Sequence, residues 1–100
     1  MNLESEYPVI EVWWLDHESN GGPGWEDLAE QLEWAERKPA LGHSVGYLIY
    51  SCESHIVIAD TIMMEEQTGC CNKIVRTDIL QERILLHGRP KNEKAEGADH

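Results

Sequence analysis

Pro39 separates two hydrophobic periods, and that change limits what this chain can become. After it the period changes to two, and residues 44–51, 55–64 and 72–76 read as successive strands. These segments are joined by "CESH" and "EEQTGCCN", both short enough for antiparallel hairpins. Before it, residues 7–15 also alternate, with Ile10, Val12 and Trp14 on one face and Val9, Glu11, Trp13 and Leu15 on the other. The first face is wholly apolar and is assigned to the core, which leaves Trp13 half covered on the far side. The glycines and proline of "NGGPG" then end the strand, because glycine permits positive φ and proline donates nothing to a ladder.

Residues 25–38 carry the helical period. Trp25, Leu28, Ala29, Leu32 and Ala35 fall within one apolar arc. Glu26 and Asp27 suit the positive end of the helix dipole, and Arg37 and Lys38 suit the other end. Trp25 is expected to anchor the first turn to the barrel described below, with Leu32 in the core. The last apolar piece, "IVRTDILQERILL", reads as a strand ending near Arg76, a turn through Thr77 to Ile79, and a final strand carrying Ile84 and Leu86. The resulting expectation is a mainly β fold with one helix: a small SH3-like or Sm-like five-stranded barrel, the helix inserted between strands one and two. Residues 1–87 form the single domain and residues 88–100 a flexible polar tail.

A 100-residue chain with 41% hydrophobic and 27% charged residues has room for one modest core. The net charge of −11 belongs to the folded body, since Arg89, Lys91 and Lys94 in the tail balance Glu93, Glu96 and Asp99. Such a surface repels nucleic-acid phosphates and favours basic protein surfaces, although the same acidity also serves simple solubility. No apolar run reaches the roughly 18–20 residues that span a bilayer, and the N-terminus carries acids where a signal peptide carries lysines, so a cytoplasmic protein is expected. Three cysteines, two of them adjacent, do not suggest a disulfide framework, and reduced thiols are expected.

The segments "VWWLDHESNGGPGWEDL", "SVGYLIY", "HIVIADTI" and "IVRTDILQERIL" resemble a group of short, mostly uncharacterised bacteriophage and prophage proteins. That group shares a W-[LI]-D-x-x-S…G-W opening and a V-G-Y-L strand. The likeness covers residues 9–86, with Val75 and Arg76 standing where an Ile-Pro pair is usual. What the resemblance implies is an accessory protein acting inside a bacterial host cell, in a group whose members often modify host or competitor systems by binding.

Asp16, His17 and Ser19 invite a hydrolase reading, but neighbours so close in sequence would have to fold back on one another, and no G-x-S-x-G elbow is present. Capping of the turn by Asp16 or Ser19 is the simpler role. Cys52 and His55 have metal-like spacing, yet Cys70 and Cys71 lie at the other end of the intervening strand, about 25–30 Å away at ~3.3 Å per residue. No metal or cofactor is expected, and a zinc only between subunits. His17, His43, His55 and His87 read as polar residues at strand ends, and His100 belongs to the tail.

Trp34 falls about 120° from the centre of the apolar arc, beside Asp27, Glu30, Gln31 and Lys38. An outward tryptophan among acids suits a binding hot spot, and it also suits a residue lying against the loop after Pro39 or against a subunit neighbour. Glu26, Glu30 and Glu33 form a separate acidic stripe, a loose imitation of a phosphate row. Trp34, Glu30, Glu33, Asp27 and Gln31 are thus the expected partner-binding face of a non-catalytic protein that inhibits a bacterial, defence-related target. The alternative is an oligomeric barrel that captures a nucleotide or nucleotide-derived signal with the loop Asp16, His17, Ser19, Gly21 and Gly22, whose glycine N–H groups suit an anion. A third reading is self-association through exposed strand edges.

Overall fold

Alternation in the first segment produces β1 (Val9–Leu15), and every other element is placed by what pairs with it. A computed structural model of the protein describes residues 5–90. After β1 come α1 (Leu28–Ala35), β2 (Leu41–Ser51), β3 (His55–Ala59), β4 (Ile62–Met63), β5 (Gln67–Thr68), β6 (Cys71–Val75), a single 3₁₀ turn (Arg76–Asp78) and β7 (Ile79–Leu86). Five strands form one antiparallel sheet in the order β6-β3-β2-β1-β7.

The expected closure into a barrel is not made. β6 and β7 stand at opposite ends of the strand order and share no ladder. The core explains why: Ile10, Val12, Ile56, Ile58 and Ile74 are buried, with Trp14, Leu48 and Ile79 packed against them, so β7 contributes its first residue alone to the cluster. Leu80, Ile84, Leu85 and Leu86 stay exposed, and β7 is held to β1 through a register interrupted at two places.

Two glycines on the core side of β2 make room for larger neighbours. The Trp14 indole lies across Gly42, where a Cβ would collide with the ring, and its Nε1–H donates to Ser44 Oγ at 3.0 Å. At Gly46 a Cβ would come within 2.7 Å of the Ala59 carbonyl oxygen. A register shift between Leu48 and Tyr50 then bends β2 as it meets β3.

The strand expected over 55–64 is two strands. β3 ends at Ala59 and β4 resumes after Asp60 and Thr61, opposite β5, so β3–β6 and β4–β5 are successive parts of one hairpin. Hydrogen bonds from Asp60 N to Cys70 O (3.0 Å) and from Gly69 N to Thr61 O (3.0 Å) bridge the gap. Its tip is Met64 and Glu65, at the start of the expected "EEQTGCCN" connection, the rest of which runs on through β5 into β6; both have positive φ, 55° and 58°, and Glu66 N–H closes the turn on Met63 O at 3.0 Å.

Of the expected tail, residues 88–90 are described: Arg89 N–H donates to Ser5 O at 2.8 Å and its guanidinium lies 3.9 Å from Glu65. Residues 91–100 lie outside the described residues. No described helix is long and apolar enough to cross a membrane.

Candidate functional site

The excursion between β1 and β2 is clamped where it leaves and returns. Asp16 N–H donates to Ala40 O at 2.9 Å, and the Glu18 carboxylate accepts from Ala40 N–H at 2.8 Å. Asn20 Nδ2 donates to Gln31 Oε1 (2.8 Å) while Gln31 Nε2 donates to Asn20 O (2.9 Å), tying loop to helix by a reciprocal pair. Gly22 N–H donates to Glu26 Oε1 at 3.0 Å, beside Gly21 at φ 136°. Glu18, Asn20 and Glu26 therefore close the loop, where Asp16 or Ser19 was expected to do so. The carboxylate of Glu26 also occupies the Gly22 N–H that an anion would need.

The helix is shorter than the 25–38 expected from the apolar spacing. Asp27 caps it, its carboxylate accepting from Glu30 N–H at 3.2 Å, which gives Asp27 a structural task as well. Its orientation is also corrected. Trp25 is fully exposed, Leu28 is 71% exposed and Leu32 57%, whereas Gln31 and Trp34 are the partly covered positions. Trp25 anchors nothing, Leu32 is not a core residue, and Trp34 turns toward the first loop. The Asn20–Gln31 pair explains the rotation: it fixes the polar side of α1 against the loop and leaves the apolar stripe facing out.

Trp34 and the loop residues Asp16 and His17, expected to serve different ligands, line one cleft of about 430 Å³ together with Glu18, Arg37 and Lys38. Ser19, Gly21, Gly22, Glu30 and Glu33 do not line it; all five are exposed. Two acids, Asp16 and Glu18, and two bases, Arg37 and Lys38, line the cleft, so it has no dominant sign.

A second polar cluster had no clear signal in the sequence. Glu11 is 9% exposed in β1; its Oε1 lies 2.6 Å from His43 Nε2, and its Oε2 accepts from Arg83 Nε (3.0 Å) and a terminal Arg83 nitrogen (2.5 Å). Arg83, then His43, holds the carboxyl below its ordinary value against the opposing effect of burial. The His43 ring also stacks on Trp13, centroids 3.7 Å apart and planes 3° apart, and this is what half covers Trp13. His43 is the third residue of β2, near the strand end as expected. Its opposition to Trp13 depends on register, which the sequence does not display.

Cys52 and His55 do meet, with Sγ 3.5 Å from Nδ1. Cys71 pairs with Ala59 and Val75 with His55, so the other cysteines lie at the far end of β3. At ~3.3 Å per residue that separation is about 13 Å, shorter than expected because β3 is shorter, and still beyond the reach of one zinc ion with ligands ~2 Å away. Among the described residues no three His, Cys, Asp or Glu side chains gather as a metal site. No protein-family model, curated protein or solved structure matches the chain.

Proposed function

We propose that the protein is a non-catalytic binding module that docks a basic-rimmed apolar groove of another protein through α1. The observation that carries this reading is the exposed apolar stripe of Leu28 and Leu32 on the capped helix, continued by the fully exposed Trp25 in the loop just before the Asp27 cap. Large apolar side chains left wet in this way mark interaction surfaces, and tryptophan is enriched among binding hot spots. Glu26, Glu30, Glu33 and Glu36 flank the stripe on a chain of net charge −11, so the complementary surface is basic at its rim. This replaces the face centred on Trp34 while keeping the acidic residues.

The resemblance of residues 9–86 to short phage proteins supports a bacterial target, engaged in the host cytoplasm and inhibited by occlusion. The strand order and the 3₁₀ turn before β7 support an SH3-like or Sm-like topology in open form, with α1 carried as an insertion. A second copy of the chain is the competing partner, favoured by the unpaired outer edge of β7 with its exposed leucines.

Two variants separate these partners: Leu28→Asp with Leu32→Asp on the helix, and Leu85→Lys on β7. Targets retained from bacterial lysate are identified, purified and titrated against each variant, with light scattering on the protein alone. The helix variant is expected to lose at least about 30-fold in affinity while its melting temperature falls by only several degrees. Retained affinity in the helix variant, or a dimer that Leu85→Lys dissociates with no target bound, overturns the reading.

A further inference from the structure

We infer that the cleft between the loop after β1 and the end of α1 is a binding site for a free aromatic α-amino acid. The cavity holds about 430 Å³, within the range of roughly 300–1,000 Å³ that small-molecule sites occupy. Trp34 lines it and the exposed Leu28 and Leu32 do not, so it is separate from the docking face of the same helix.

Charge in this cleft is divided between two walls. Asp16 and Glu18 belong to the segment leaving β1, whereas Arg37 and Lys38 belong to the segment that returns from α1 to β2. Glu18 is partly engaged, since its carboxylate accepts from Ala40 N–H at 2.8 Å. Among the described residues, no ion pair or hydrogen bond engages the charged groups of Asp16, Arg37 and Lys38, and none closes across the cleft.

Opposite charges that line one cavity without meeting leave a place for a molecule that carries both signs. A simple anion there meets the acids, and a simple cation meets the bases; either like-charge contact works against binding. A zwitterion complements both walls. The remaining surface is apolar, made by Trp34 with Ala35 and Pro39. An aromatic side chain against the indole gains ring–ring contact beyond the area it buries, which an aliphatic one does not. A mononucleotide also offers a ring, but its phosphate brings negative charge with no positive partner, and the acidic wall opposes it.

The walls are fixed before any ligand arrives. Asp16 N–H donates to Ala40 O at 2.9 Å and joins the outgoing segment to the returning one. Arg37 N–H donates to Trp34 O at 3.1 Å, and Pro39 restricts the backbone that follows Lys38. Binding therefore has to order side chains alone, which keeps its entropic cost low. In the complex the α-ammonium faces Asp16 and Glu18, the α-carboxylate accepts from Arg37 and Lys38, and the ring lies against Trp34.

The test is calorimetric titration of the full chain with L-phenylalanine, N-acetyl-L-phenylalanine, L-phenylalaninamide, L-alanine and adenosine monophosphate. Acetylation removes the positive charge, amidation the negative one, and alanine lacks the ring. L-Phenylalanine is expected to bind at least about tenfold more tightly than each of the other four. Asp16→Asn narrows its preference over the acetylated form, and Arg37→Gln with Lys38→Gln narrows its preference over the amide. All three positions are exposed, so circular dichroism is expected to stay unchanged. Absence of binding at about 10 mM L-phenylalanine, some tenfold above a millimolar dissociation constant, overturns the proposal. Equal affinity for the blocked forms, adenosine monophosphate bound as tightly, or preferences unmoved by the charge variants also overturn it.

Discussion

Truncating Leu32 and Ile56 to alanine separates the helix face from the core. Leu32 retains 57% of its exposure, so less than half its surface leaves water on folding. Full burial of a leucine is worth roughly 1.5–3 kcal/mol, which leaves about 1 kcal/mol or less for Leu32→Ala, with no cavity formed. Ile56 is 0% exposed in the cluster with Ile10, Val12, Ile58 and Ile74. Its truncation adds a cavity to the transfer loss and is expected to cost about 2–5 kcal/mol. For a chain of this size each kcal/mol moves the melting temperature by roughly 4–8 °C. Leu32→Ala should therefore fall by a few degrees and Ile56→Ala by about 10 °C or more, read by circular dichroism on heating and checked by urea titration. A Leu32→Ala variant as damaged as Ile56→Ala would mean that α1 packs its apolar stripe against the protein, and the proposed docking face would be gone.

Gly42→Ala places a methyl group against the Trp14 indole and should destabilise by roughly 1–3 kcal/mol, with a changed tryptophan emission reporting the displaced ring; an unchanged melt would refute the close packing. At the hairpin tip, Met64→Asn with Glu65→Gly suits two successive positive φ values and should stabilise by about 1 kcal/mol in urea titration, whereas a loss would show that the turn is not strained. Glu11 contributes stability that is complete above the ordinary glutamate value of 4.5 and is lost as pH falls through its lowered value. Glu11→Gln should thus be less stable than the wild type at neutral pH, with the gap closing in acid below about 4.5, and a gap independent of pH would sink the Arg83–His43 account.

Period by itself placed β1, β2, β3, β6 and β7 in their order of appearance, because side-chain period is a local property of the backbone, but it displayed neither the break at Asp60 and Thr61 nor the short β5. Ile10, Val12 and Trp14 could be placed in the core from spacing alone, and "IVRTDILQERILL" displayed a turn and a strand after it, the turn expected through Thr77 to Ile79 standing one residue earlier, at Arg76–Asp78. Tertiary structure decided what those elements face. The apolar arc of α1 reads as a buried side in any amphipathic analysis, yet the Asn20–Gln31 hydrogen bonds turn the other side to the protein, and such a pair eleven residues apart leaves no periodic trace. Barrel closure likewise depends on whether β7 supplies inward side chains, and the core holds Ile79 while the rest of that strand remains outside. Spacing put Glu11 on the face of β1 away from the core, with no partner named for it. Only the register of β1 with β2 and β7 brings His43 and Arg83 to it across long stretches of chain. Residue types and local geometry were legible because they depend on neighbours in sequence; orientation, closure and charge pairing were not, because each is fixed by a partner that the chain reaches only when folded.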